Sequence, residues 1–270
     1  MATPSHPSRL VLLGSDVGSS LSPVFQQAAL DAAGIRICYD AIDVVAENLA
    51  GTIADIRLLD IAGNVTRPHK VAFHDSCDVL TPIAARVGAV NTFWMNGGRL
   101  HGDNTDVGGF DTSARELVGS EPRHLSVLVL GSGGAAAAVL AAVERWPGWG
   151  AMIFSRNESQ AVRLAERYRD VARVESDPER AARHAGLIVN ATPVGQRDDS
   201  HPFDTSLISR QTAVMDLVYR RGETAWIKAL RANGNTARDG LAMLLEQGAL
   251  SFRQWFGMDP DRRAMLQSLR

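Results

Sequence analysis

The sequence predicts an α/β fold in two parts, and three observations carry that reading. Short apolar runs alternate with helix-like segments from the start of the chain. The same alternation begins again near residue 125. At that restart a glycine-rich loop joins an apolar strand to a helix. A length of 270 residues exceeds the usual single core. Residues 1–110 with 238–270 are therefore assigned to one α/β domain and 111–237 to a second.

The first strand is Arg9–Leu13, closed by Gly14. Ser22 suits an N-cap, with Pro23 as the first helical residue of a helix that runs to about Ala33 and ends at Gly34. A strand follows near Ile35–Ile42, a helix near Ala46–Leu58, a strand over Asp60–Val65 and a helix after Lys70. This βαβα order predicts a mostly parallel sheet. In the second part, strand 125–130 enters a helix at 133–146. Ala151–Phe154 is the next strand and Glu158–Tyr168 the next helix. Leu187–Asn190 and Ala213–Val218 are buried strands, and Asp239–Phe252 is helical in pattern.

Composition excludes several classes. Apolar residues make up 45% and charged residues 21%, as in ordinary soluble domains. The net charge of −2, without a basic block, gives no support for a nucleic-acid partner. No apolar run reaches the ~18 residues needed to span a bilayer. Met1–Arg9 lacks the pattern of a secretory signal, so a cytoplasmic protein is expected. Cys38 and Cys77 are too few for a disulfide framework or zinc cluster and read as reduced packing residues. His69 and His101 fall in no metal-ligand pattern, the other histidines are scattered, and no metal is expected.

Polar residues stand where strands should end. Ser20-Leu21-Ser22-Pro23 puts two hydroxyls at a helix start. Asn64, Thr66, Lys70, Asn91 and Asp106 occur in the same half. Converging hydroxyl and amide side chains suit a ring bearing hydroxyls and a carboxylate. A lysine beside an aspartate can pass a proton. Gly131-Ser132-Gly133-Gly134-Ala135 follows a strand and opens a helix, where glycine lets the backbone approach a phosphate and the helix start supplies free N–H groups. At the end of the next strand stand Ser155-Arg156-Asn157-Glu158. An arginine there welcomes a ribose 2′-phosphate, and an acid repels it.

Eight motifs then occur in order: Ser20-x-Ser22-Pro23, Asn64-Val-Thr66-x-Pro68-x-Lys70, Ala89-Val-Asn91-Thr92, Asn104-Thr-Asp106, Gly131-x-Gly-Gly-Ala135, Asn190-Ala-Thr192, Asp216-Leu-Val-Tyr219, and Asp239-Gly240-Leu-x-Met243 through Gln247. Together they resemble the shikimate/quinate dehydrogenase family over nearly the whole chain. The resemblance implies an N-terminal α/β substrate domain and a Rossmann-type dinucleotide-binding domain, with the active site in the cleft between them and the C-terminal helix returning to the first domain. It implies Lys70 and Asp106 as the catalytic pair, and Ser20, Ser22, Thr66, Asn91, Tyr219 and Gln247 as substrate-binding residues. Gly131, Ser132, Gly133, Gly134, Ala135, Ser155, Arg156, Asn157, Glu158, Thr192, Leu217, Gly240 and Met243 would surround the cofactor.

The expected reaction is reversible interconversion of shikimate and 3-dehydroshikimate. The expected partners are a small cyclitol carboxylate and a nicotinamide dinucleotide, without nucleic acid or membrane, in a monomer or homodimer. Three departures from the family pattern shape the finer expectations. Gln26 and Gln27 replace the His-Asn of biosynthetic members, and Gln26 resembles the quinate/shikimate branch. Gln160 replaces a second basic residue, and Glu158 resembles the NAD-using branch, so NAD is favoured over NADP. Arg220-Arg221 replaces the usual Asn-Pro. Quinate or an amino analogue of shikimate is the alternative substrate, and a catalytically idle dinucleotide-binding regulator is the alternative function.

Overall fold

The structure, a computed structural model, describes residues 7–119, 125–220 and 222–269. It divides into two compact units, one running to Asp106 and resuming at Leu245, the other spanning Val107–Leu244.

The first unit opens with β1 (Arg9–Gly14), α1 (Ser22–Ala32), β2 (Tyr39–Asp43), α2 (Leu49–Leu59) and β3 (Ile61–Val65). It continues through α3 (Lys70–Ser76), β4 (Val79–Leu80), α4 (Pro82–Val87), β5 (Thr92–Asn96) and β6 (Arg99–Asp103). Its sheet has the order β2-β1-β3-β5-β6-β4. β1 pairs in parallel with β2 and β3, placing Leu12 opposite Asn64. The sheet is not parallel throughout, because β5 runs antiparallel to both β3 and β6. Gly97 and Gly98 turn the β5–β6 hairpin with φ of 57° and 73°, the left-handed pair that a two-residue hairpin loop requires. Side chains of Val11, Leu13, Ile56, Phe73, Phe93 and Leu100 fill one core, with Phe73 and Phe93 ring centroids 4.7 Å apart.

Two expected boundaries move for local reasons. β2 begins at Tyr39 rather than near Ile35. The Gln27 amide accepts the Tyr39 N–H at 3.0 Å and donates to the Ile37 carbonyl at 3.4 Å, taking backbone groups that a strand would pair. Ser22 is not the N-cap of α1: the helix already includes it, Leu21 holds the cap position, and Ser20 Oγ accepts the Ser22 N–H at 3.2 Å.

In the second unit come β7 (Ser126–Leu130), α6 (Gly134–Val143), β8 (Gly150–Phe154), α7 (Glu158–Arg167) and β9 (Ala172–Val174), preceded by α5 (Thr105–Val118), which crosses from the first unit. Then follow α8 (Pro178–His184), β10 (Leu187–Asn190), β11 (Ala213–Asp216), α9 (Ala225–Ala232) and β12 (Ala237–Arg238). All strand pairs are parallel, in the order β12-β11-β10-β7-β8-β9. Strand order therefore reverses between β7 and β10, the place where open α/β sheets bind ligands. Helix α6 is alanine-rich and buried from Ala136 to Val143, which lets it pack closely. Leu128, Ile188, Val214, Trp226 and Leu230 share a second core.

The expected strand over Ala213–Val218 stops at Asp216, whose own carboxylate accepts the Val218 N–H at 3.0 Å and turns the chain. The last long helix, α10 (Leu241–Phe256), starts where the Asp239 side chain accepts the Leu241 N–H, and it crosses back into the first unit. A short α11 (Arg262–Gln267), capped by Asp261, packs on α1. Among the described residues no helix is long and apolar enough to cross a membrane. Both cysteines are free, and burial pushes the Cys77 thiol up to about 12.

Candidate active site

In the first unit the end of β3, the start of β5, the middle of α10 and the start of α5 bring polar side chains together. Asn64 is fixed first. Tyr39 donates its hydroxyl to Asn64 Oδ1 at 2.7 Å, so the amide nitrogen must face the other way. That nitrogen donates to the Asn91 carbonyl (3.0 Å), Thr92 Oγ1 (2.9 Å) and Ser251 Oγ (2.9 Å). Asn91 is fixed next. Its Oδ1 accepts the Thr105 backbone N–H at 2.7 Å, which leaves no choice of flip. Asn91 Nδ2 then donates to Asp106 Oδ1 at 2.8 Å and to Gln247 Oε1 at 3.3 Å.

Lys70 opens α3, and its Nζ meets the other carboxylate oxygen, Asp106 Oδ2, at 2.5 Å. The Lys70 carbonyl accepts the Val90 N–H at 2.9 Å, tying the lysine to the segment that carries Asn91. The preceding His69 is buried and donates from Nε2 to the Val44 carbonyl at 2.6 Å, which anchors the loop. The two side chains keep 24% (Lys70) and 13% (Asp106) of their surface exposed, enough for a small molecule to reach them. The arrangement is a cation whose one carboxylate partner is held from behind by an amide.

Thus Lys70, Asp106, Asn91 and Gln247 form one hydrogen-bonded array. Among the described residues no hydrogen bond joins Ser20, Ser22 or Thr66 to Lys70 or Asp106; Ser22 is buried, while Ser20 and Thr66 are half-buried. Thr66 packs so near Gly14 that a Cβ on the glycine would lie 2.3 Å from its methyl group. Tyr219 lies in the second unit, half-buried just beyond β11. Arg220 pairs with Asp199 at 2.5 Å, while Arg221 lies outside the described residues. Tyr39, Thr92, Thr105 and Ser251 support the array without having been assigned roles. Ser251 carries one signal, its position one turn after Gln247.

The second unit gathers a different set at the C-terminal ends of its strands. Gly131 adopts φ 110°, and a Cβ there would lie 3.0 Å from the Thr192 methyl, so the loop needs glycine twice over. Ser132 and Ser155 hydroxyls meet at 2.9 Å, joining the ends of β7 and β8. Gly133 and Gly134 are exposed, and a Cβ on either would meet nothing within 4 Å, so the start of α6 is bare backbone. Bare N–H groups at a helix start beside the strand-order reversal fit the pyrophosphate of a dinucleotide. Asn157 is occupied as the N-cap of α7, accepting the Gln160 N–H at 3.1 Å. Arg156 and Glu158 are both exposed, and neither makes an ion pair among the described residues. Thr192 donates its hydroxyl to Asn190 Oδ1 at 2.6 Å. A Cβ on Gly240 would lie 2.4 Å from the Leu217 carbonyl, locking those two segments together. Met243 is buried in the first turn of α10.

One carboxylate at this end of the sheet is buried: Asp216 is pushed up to about 6, chiefly by burial, and the charge of Asp239 adds to the rise. Asp239 is itself raised by burial.

Comparison with known proteins bears on both halves. The model of the shikimate dehydrogenase substrate binding domain matches residues 12–93, and that of the shikimate 5'-dehydrogenase C-terminal domain matches 240–270. Shikimate dehydrogenase (NADP(+)) of Thermus thermophilus is 38% identical over 263 residues, covering 97% of each chain. The chain belongs to the shikimate dehydrogenase family. Its members named here are oxidoreductases, and two solved ones share the fold throughout. The Aquifex aeolicus shikimate dehydrogenase superposes with a TM-score of 0.91 at 33% identity over 98% of both chains. The Thermus thermophilus enzyme in complex with NADP(H) and shikimate gives 0.88 at 38% identity over 97% of this chain and 98% of that one. Such agreement extends the family assignment to the second unit, between the two matched segments.

Proposed function

We propose that this protein oxidises shikimate reversibly to 3-dehydroshikimate with a nicotinamide dinucleotide, binding the acid in the first unit and the dinucleotide in the second. The observation that carries the reading is the Lys70–Asp106 pair held by Asn91. The dinucleotide supplies a hydride acceptor at the nicotinamide ring. Lys70, in its neutral form, takes the proton from the reacting hydroxyl and returns it in the reverse direction. Asp106 orients the lysine and accepts from a neighbouring substrate hydroxyl. Gln247 and Asn91 present amides to the ring, and Ser20 and Ser22 bind the carboxylate. Converging donors and acceptors of this kind fix which carbon faces the dinucleotide.

The dinucleotide preference rests on two exposed residues. Arg156, without an ion-pair partner among the described residues, is available to a 2′-phosphate, and the relatives' names carry NADP(+). Glu158 opposes that phosphate and supports NAD. Both cofactors are accepted in this reading, with Glu158 keeping NAD competitive. Initial rates of shikimate oxidation with each cofactor at matched concentrations test it. Absence of turnover with either, for shikimate and for quinate alike, would reject the enzyme reading. A higher kcat/KM for quinate would reject the substrate.

A further inference from the structure

Asp216 has no part in the chemistry above, yet it is a buried carboxylate that accepts three hydrogen bonds at the end of the sheet where the dinucleotide is placed. Its side chain is fully buried. Oδ1 accepts from Asn190 Nδ2 at 2.8 Å and from the Val218 N–H at 3.0 Å. Oδ2 accepts from the Thr224 hydroxyl at 2.9 Å. Asn190 and Asp216 stand opposite each other in the β10–β11 register, so this contact staples the last residues of two adjacent strands.

The staple reaches further through its partners. Because Asn190 gives its amide nitrogen to Asp216, its Oδ1 is turned toward Thr192, accepting both the N–H (3.0 Å) and the hydroxyl (2.6 Å). Thr192 in turn abuts Gly131, the first residue of the glycine loop. On the other side, the Val218 bond sets the turn that carries Leu217, whose carbonyl presses on Gly240, and the Val218 carbonyl accepts the Gly240 N–H at 3.0 Å. Thr224 caps α9, its hydroxyl also accepting the Ile227 N–H. Four segments expected to line the dinucleotide therefore take their positions from one carboxylate.

We propose that Asp216 is a positioning residue for dinucleotide binding, acting through Asn190 on Thr192 and Gly131 and through the 216–218 turn on Leu217 and Gly240. This rests on the reading of the second unit as the dinucleotide site. An aspartate suits the task because it is acceptor-only when ionised and can receive several donors at once. Asparagine at 216 would point an NH₂ at one of these donors and release it.

The test uses the full-length protein with Asp216→Asn, Thr224→Val and Thr224→Ser. Dissociation constants for NAD, NADP and shikimate are measured separately by calorimetry, and KM for each substrate by steady-state rates. The expected result is a dinucleotide affinity weakened about tenfold or more in Asp216→Asn and Thr224→Val. Shikimate binding and kcat at saturating dinucleotide stay at wild-type values, and Thr224→Ser restores dinucleotide affinity. Wild-type dinucleotide affinity in a folded Asp216→Asn overturns the proposal. So does equal weakening of shikimate and dinucleotide, which would mark a merely structural role. Where Asp216→Asn does not fold, Thr224→Val decides by the same two readings. Wild-type protein that binds neither dinucleotide overturns the functional reading and this one with it.

Discussion

Asn91 decides more at the site than either charged residue, because its amide cannot rotate. Held by the Thr105 N–H on one side, it must donate to Asp106 on the other, and Asp106 must then offer its second oxygen to Lys70. Lys70→Ala is expected to lower kcat by about 10²–10⁴-fold with a smaller change in KM, since a group that moves a proton acts mainly in the transition state. Steady-state rates in both directions check this, and a change confined to KM would make Lys70 a binding residue instead. Asp216 gives a prediction with a definite sign. Burial holds its folded-state value at about 6, above the usual 3.8. The folded protein therefore binds more protons than the unfolded chain between about pH 4 and 6, and stability falls as pH rises through that window. Wild type should lose on the order of 2–3 kcal/mol against Asp216→Asn between pH 4 and 7, read as the gap between urea midpoints at the two pH values. Asp78 works in the opposite sense: its bonds to Arg57 hold it at about 2, so its contribution is present above pH 4 and is lost as pH falls toward 2. At this scale the grouping of Lys70, Asp106 and Asn91 was legible because polar side chains beyond strands stand out against apolar runs. Tyr39 and Ser251 were not, because a lone hydroxyl looks the same in sequence whether it meets solvent or a buried amide.

Among the elements, the β7–α6 and β8–α7 connections carry the sharpest consequences. Gly131→Ala is expected to weaken dinucleotide binding and lower the melting temperature together, because alanine meets both an unfavourable φ and the Thr192 methyl. Calorimetry with NADP and a thermal melt of the same sample separate this from a loss of affinity alone. Arg156→Ala should cut kcat/KM for NADP about tenfold and leave NAD within twofold, whereas Glu158→Gln should raise NADP use. Unchanged NADP kinetics in Arg156→Ala would remove Arg156 from cofactor choice. Helices and buried parallel strands of the second unit were readable because their apolar runs are continuous and bounded by turn residues. The β5–β6 hairpin was missed although Asn96-Gly97-Gly98 marks it, because the Trp94-to-Leu100 stretch has no clean alternation. Strand β2 was drawn too long because a glutamine one helix earlier consumes its backbone groups, a pairing with no trace in local sequence.

For the whole molecule, the expected division of labour is spatial. Shikimate should protect backbone amides around residues 64–70, 91–106 and 247–251 from hydrogen exchange, and NADP those around 131–136, 190–192 and 216–218, in separate single-ligand experiments. Exchange mass spectrometry that finds both ligands protecting the same segments would refute the assignment of one ligand to each unit. The two-part organisation was legible because the strand–helix alternation restarts after an interruption. The chain crosses between the units at Asp106–Val107 and Leu244–Leu245, within the first turns of α5 and α10, where an unbroken helix carries no composition signal.

The hydroxyls of Thr92, Thr105 and Ser251 lie 2.7–3.1 Å from one another, and in each pair either oxygen is able to donate. Such a triangle has more than one sense of hydrogen-bond circulation and can reverse it by turning O–H bonds, with every heavy atom in place. It touches Asn91, and through Asn91 the carboxylate beside Lys70. When a proton leaves or joins that lysine, the surrounding dipoles can therefore reorient without displacing backbone or core. The interior behind the site thus offers several hydroxyl orientations for one set of heavy-atom positions.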